Sequence, residues 1–202
     1  MKKDNKKLTR NFYKADVLEV AENLLGKIFV YKTKGKTLKA KIVEVEAYNG
    51  KIDEAAHTFN GKTERNKIMF NEGGFLYVYF TYGIHFCANI VTGKKNEGTA
   101  ILLRGMEPLE GVKYFSKKRF PQKRLNEINK KDLLNGPAKI CQAFNITKKQ
   151  NGIDLTGNKI YLLDAPKIPN SKMIKTTRIG IKKSVDLPWR FYIKDNIYVS
   201  KK

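Results

Sequence analysis

The chain has 202 residues, of which 41% are hydrophobic and 11% aromatic, and a formal net charge of +22. That apolar content can offset the ordering entropy of a core, which excludes a globally disordered chain, and the length suits one domain over residues 1–202 with no linker dividing it. So large an excess of like charge destabilises a compact chain by self-repulsion, so a polyanionic partner is the economical explanation.

The segment KADVLEVAENLLG at 14–26 carries Val17, Val20, Leu24 and Leu25 at helical spacing, with Asp16 near the start and Gly26 at the stop, and reads as an amphipathic helix. KIFVYK then reads as a short strand, and Lys34-Gly35-Lys36 as a turn into a longer strand from about Thr37 to Tyr48. By strict alternation, Leu38, Ala40 and Ile42 share a face with Glu44, Glu46 and Tyr48, while Val43 and Val45 point the other way. Two carboxylates would thus interrupt a buried pattern.

Residues 49–74 are rich in Gly, Asn, Lys and Glu and form a connection long enough to suggest a functional loop, with Met69-Phe70 pinning it. In FLYVYFTYG, Phe75, Tyr77 and Tyr79 face one way and Leu76, Val78 and Phe80 the other; Tyr82-Gly83 then offers a reversal into IHFCANIV. The expected result is a hairpin with a tyrosine at its tip. A strand at AILLRG, a helix over PLEGVKYFSKKR, a basic stretch to Lys131, a helix around LLNGPAKICQAF, a strand at KIYLLD and a last strand at RFYIKDNIYVS follow. Basic residues occur in short groups, among them Lys2, Lys3, Lys6 and Lys7; Lys117, Lys118 and Arg119; and Lys182 and Lys183.

Cys87 and Cys141 are the only cysteines, lie in apolar surroundings and lack CxxC spacing, so two buried thiols and no metal site are expected. The basic N-terminus lacks the apolar stretch of a signal peptide, and no run approaches the roughly 20 apolar residues that span a bilayer. A cytoplasmic, nucleoid-associated location with no membrane partner is the expectation.

Glu46 lies on an apolar strand with Lys39 and Lys41 on the opposite face by the same alternation. Its carboxylate is either part of a buried hydrogen-bond network or a general base poised in a pocket. Tyr48 and Tyr79 read as packing residues or as platforms on which a base stacks. Tyr82 is different, since a bulky ring at an exposed turn gains little from folding and suggests contact with a partner. A non-enzymatic nucleic-acid binder would use the same charge and rings but give Glu46 no role.

The chain resembles the alkyladenine (3-methyladenine) DNA glycosylases along nearly its whole length. The likeness is carried by RNFY at 10–13, LLGK at 24–27, VEVEAY at 43–48, DEAAH at 53–57, RN..MF at 65–70 and G.LYVY..YG...C.N from Gly74 to Asn89. It continues in LLRG.EPLEG at 102–111, LNGPAKICQAF at 134–144, RIGI at 178–181 and PWRFYI at 188–193. The resemblance implies an α+β (mixed α/β) domain with a curved, mostly antiparallel sheet, surrounding helices and a protruding hairpin that intercalates into DNA. It implies that Glu46 deprotonates a water attacking C1′ of a flipped nucleotide, with Arg104 and the backbone carbonyl of Ile179 holding both. It further implies that Tyr48 and Tyr79 sandwich the base, that His57 hydrogen-bonds across the pocket, that Asn89 forms its floor, and that Tyr82 fills the gap in the stack. The partner would be double-stranded DNA carrying a damaged purine, bound by a monomer without cofactor, in the first step of base excision repair.

Overall fold

Asp16 accepts hydrogen bonds from the backbone N–H groups of Leu18 and Glu19, which caps a helix over Val17–Leu24 at about 1 kcal/mol for such a cap. We call this helix α2, after a single turn α1 at Arg10–Tyr13. It ends ahead of Gly26, whose φ of 85° suits glycine, and buries Val17, Val20, Ala21 and Leu24. The computed structural model describes residues 6–201, so Lys2 and Lys3 lie outside the described residues.

The strands are β1 (Ile28–Thr33), β2 (Lys36–Asn49), β3 (Leu76–Thr81), β4 (His85–Thr92), β5 (Thr99–Glu110), β6 (Ile160–Leu163), β7 (Met173–Thr176) and β8 (Arg190–Ile193). Helix α3 spans Val112–Arg119 and α4 spans Pro137–Phe144. All strand pairings are antiparallel, in the order β3-β4-β5-β2-β1-β6, with β8 also on β2 and β7 on β8. One edge of β2 pairs with β1 as far as Lys41 and with β8 from Glu44 to Glu46.

That change of partner coincides with a break in register. Ile42 lies opposite Met106 on β5 and Glu44 opposite Gly105, so Val43 is extra; Val45 then lies opposite Leu103, so Arg104 is extra on the other strand. The bulge overturns the alternation expected from sequence. The main core contains Leu38, Ala40 and Ile42 before it, but Val45 and Ala47 after it. Glu44, Glu46 and Tyr48 are thereby turned to the opposite face. On β5 the phase changes in the same way, with Ile101 and Leu103 in the core and then Met106.

Helices α2 and α4 pack on the core face, where Leu24, Phe29, Phe115 and Phe144 are fully buried. Each such side chain contributes about 1.5–3 kcal/mol. A smaller cluster of Met69, Tyr77, Val91 and Ala100 lies apart from this core, and the Lys67–Phe70 turn supplies its Met69, as the sequence suggested. Three sequence expectations need correction. PLE at 108–110 ends β5 and does not begin α3, because it continues the pairing with β2; the last strand stops at Ile193, where a turn follows; and β7 is an additional short strand.

The β3–β4 hairpin has the alternation expected of it. The outer edge of β3 is covered by backbone bonds between Leu76 and residues Gly152 and Ile153, and by Asn151 Oδ1, which accepts from Val78 N–H. Beyond Val78 the hairpin projects. Its tip turns through Tyr82 and Gly83, with φ of 51° and 67°, the sense that tight hairpins require. Tyr82 is 84% exposed, and Phe80 and Ile84 are exposed beside it.

Candidate active site

Four neighbouring strands present side chains on the face away from the main core. Tyr77 and Tyr79 come from β3, Cys87 and Asn89 from β4, Leu102 and Arg104 from β5, and Tyr48 from β2; all line one cavity of about 400 Å³. The strand order sets its width, because three inter-strand spacings separate β3 from β2, about 14 Å between backbones. Side chains leaning in from both sides narrow this to a slot with β4 and β5 as its floor. Loop residues His57 and Ile179 complete the walls, and Tyr82 stands at the rim.

On the β3 side, the rings of Tyr77 and Tyr79 stack with centroids 5.6 Å apart, and His57 meets Tyr79 edge-on at 4.5 Å. His57 Nδ1 lies 3.0 Å from the Tyr77 hydroxyl. His57 keeps a solvent-accessible edge, but enclosure of its ring and, secondarily, the Arg65 charge lower its pKa from 6.5 to about 4. It is therefore neutral near pH 7. Because the folded-state pKa is depressed, the stability linked to it is complete above about pH 6.5 and lost as pH falls toward about 4. An NMR titration of His57 is expected to show a midpoint well below 6.5; an ordinary midpoint would mean that the loop does not pack against Tyr79 in solution.

On the β2 side, Glu46 is fully buried and accepts three hydrogen bonds: Ile179 N–H to Oε1 at 2.7 Å, and the Tyr48 hydroxyl and Arg104 Nη1 to Oε2 at 2.9 and 3.3 Å. The amide of Ile179, and not its carbonyl, makes this contact. Glu46 has no surface in the slot, but its three donors all line it. Neither Lys39 nor Lys41 pairs with Glu46; they pair with Glu110 and Glu107. Burial, and then the Glu46 charge, push the Tyr48 phenol well above its ordinary pKa, which keeps it a donor.

Glu44 is equally buried but has a different set of partners. It accepts from Arg190 Nε at 2.7 Å and from the amide and hydroxyl of Ser200, which ties the C-terminal segment to β2. Arg104 lies between the two carboxylates, with Nε 3.4 Å from Glu44. Gly105 makes room for this arrangement, since a Cβ there would sit 2.8 Å from the Tyr198 carbonyl and 3.0 Å from Glu44. Asn89 is buried on the floor and donates to the Tyr77 carbonyl at 3.3 Å.

Sequence reasoning assigned no role to Arg178 or Asp53. Arg178 is buried, its Nη2 donates to Asp53 Oδ1 at 2.8 Å and its Nη1 to the Ala47 carbonyl at 3.0 Å, and its guanidinium lies 4.6 Å from the Tyr48 ring centroid. It therefore braces the ring from over its face while Glu46 holds the hydroxyl. Both residues belong to motifs noted above, RIGI and DEAAH, but only the fold reveals that the two motifs meet.

Among the described residues, no group of three or more His, Cys, Asp or Glu side chains is placed to hold a metal ion, and no helix is long and apolar enough to cross a membrane. Both cysteines are free and buried.

The model of the methylpurine-DNA glycosylase (MPG) family matches residues 11–197. The chain belongs to this family of DNA glycosylases. The methylpurine-DNA glycosylase relatives include proteins named "Putative 3-methyladenine DNA glycosylase" from Clostridium botulinum, 48% identical over 96% of this chain and 99% of the relative, and from Clostridium novyi, 50% identical over 98% and 100%. A relative of the same name from Chlorobium luteolum is 45% identical over 96% of this chain and 97% of its own. Methylpurine-DNA glycosylases are hydrolases of N-glycosyl bonds, which gives the slot its chemical context.

Proposed function

We propose that this chain flips a damaged purine such as 3-methyladenine, hypoxanthine or ethenoadenine out of duplex DNA, and that Glu46 takes a proton from the water that attacks C1′. The observation that carries this reading is the buried carboxylate bonded to Tyr48 at one wall of an aromatic slot, with an exposed hairpin tyrosine at its mouth. Tyr48 and Tyr79 are the platforms for the extruded base, His57 is a neutral hydrogen-bonding group across the slot, and Asn89 is the polar floor. The water reaches Glu46 at the seam where Tyr48, Arg104 and Ile179 meet. Among the described residues, none of those lining the slot is a lysine, which favours direct hydrolysis by a monofunctional enzyme over a Schiff base.

Cationic bases such as 3-methyladenine are good leaving groups and need little acid catalysis. The enzyme's task is then extrusion and supply of an oriented water. Phosphate contacts from a surface of net charge +22 offset the few kcal/mol of unstacking, and Tyr82 keeps the gap from closing. The direct test is a panel of duplexes, each with one lesion, incubated with excess protein and scored for alkali-labile sites. Binding without cleavage on every member would identify a non-enzymatic lesion binder.

Tyr82→Ser tests the wedge. The exposed ring contributes little burial, so the fold is expected to persist, while the extrusion equilibrium shifts by a few kcal/mol toward the stacked base. Excision from duplex should slow more than excision from single-stranded DNA carrying the same lesion. An unchanged ratio of the two single-turnover rates would make Tyr82 an ordinary surface residue.

A further inference from the structure

Two cavities flank the β3–β4 hairpin. One is the slot; the second, of about 340 Å³, opens on the other flank between the start of β4 and helices α3 and α4. Its walls include Ile84 and His85 from the hairpin, Lys118 from α3, and Gln142 and Asn145 from α4. The first turn of α4 divides the two cavities, because Pro137 lines the slot and Ala138 lines the second groove.

The chemistry of this groove is one-sided. Among the described residues no carboxylate lines it, although the chain has 19 acidic residues, and Lys117 and Arg119 stand beside Lys118 in the last turn of α3 without lining the groove. The Gln142 carbonyl accepts from Arg119, which leaves the amide nitrogen as its free end. Lys118 is exposed and has no carboxylate partner among the described residues. Lys118 and the Gln142 amide line the same groove as apolar Ile84, Phe86 and Ile146, and a cation and an amide donor without a carboxylate among the described lining residues suit phosphate oxygens.

We propose that this groove holds the phosphodiester backbone of the undamaged strand. The inference rests on the reading of Tyr82 as a wedge and follows from geometry. A hairpin whose tip enters a duplex has one strand on each flank. The flank with the slot receives the strand that gives up its nucleotide, so the other flank meets the complementary strand. Holding that strand fixes the far side of the opened step while the damaged nucleotide turns out, and it makes the duplex bind more tightly than the same lesion strand alone.

The test is Lys118→Gln, which removes the charge and keeps most of the stem, compared with Lys159→Gln beside β6 at the opposite edge of the sheet. Equilibrium binding is measured across a range of KCl concentrations on a lesion duplex and on the lesion strand alone. For Lys118→Gln the slope of log K against log salt is expected to fall by about 0.9 on duplex, the value for one phosphate contact, and to stay at the parent value on the single strand. Lys159→Gln should leave both slopes at the parent value. Equal losses on the two substrates would assign the groove to the lesion strand, and no loss on duplex would remove it from the interface; either result overturns the proposal. Because binding is read and not excision, a parent protein without activity would count against the proposed chemistry and leave this measurement intact.

Discussion

Glu46→Gln is expected to lower the single-turnover excision rate by about 10²–10⁴-fold, the range for loss of a positioned general base. The structure adds that this change is not silent toward folding. All three neighbours of the carboxylate donate to it, and a carboxamide offers one accepting end only. With its oxygen toward Ile179, the amide nitrogen faces Tyr48, whose hydroxyl can rotate to accept, and Arg104, which cannot. With its oxygen toward Arg104, the nitrogen faces the Ile179 N–H. One buried donor is left unmet in either orientation, at about 1–3 kcal/mol. Melting temperature and lesion affinity must therefore be measured with the rate. Excision within tenfold of the parent, from a folded variant, would remove Glu46 from the chemistry.

Asp53→Ala is expected to have the largest effect on stability. Asp53 and Arg178 have no side-chain exposure, so removing the carboxylate leaves a guanidinium buried beside Tyr48 without its counter-charge. Breaking such a pair from one side costs about 3–5 kcal/mol, because the surviving charge keeps its desolvation penalty. For a domain of this size the melting temperature should drop by about 6–20 °C. Excision assayed below both melting points should also slow, since Tyr48 loses the group that braces its ring. A drop of only a degree or two would show that water reaches Arg178 and that the clamp is looser than its geometry implies.

The hairpin and its two faces were legible in the sequence because aromatic and aliphatic residues alternate from Phe75 to Tyr79 and Tyr82-Gly83 marks the reversal. Strand β2 was misread for a specific reason. Polar and apolar residues alternate cleanly on each side of the bulge, Leu38 to Ile42 and Glu44 to Ala47, and a single phase carried through the adjacent apolar pair Ile42-Val43 misses the slip of one residue that this pair marks. Glu44 and Glu46 were also indistinguishable by pattern. What separates them are Arg190 and Ser200 on one side and Tyr48 and Ile179 on the other, and most of these lie far away in the chain. The Arg178–Asp53 pair was illegible for the same reason. The short strand β7 escaped notice because MIKT has no clear alternation and only β8 pairs with it.

The paired bulges at Val43 and Arg104 also constrain how the gene can change. Losing the Val43 codon would close that bulge yet keep Ile42 and Val45 toward the core and Glu44, Glu46 and Tyr48 toward the slot, because the bulge already absorbs the extra residue. Losing the Val45 codon instead, downstream of the bulge, would turn Glu46 and Tyr48 toward the core and Ala47 toward the slot. Losing the Arg104 codon would likewise leave Leu103 and Met106 in phase but remove the guanidinium that reaches both carboxylates. The count of residues beyond each bulge therefore decides which side chains face the slot, whereas the bulge at Val43 can close without changing that assignment.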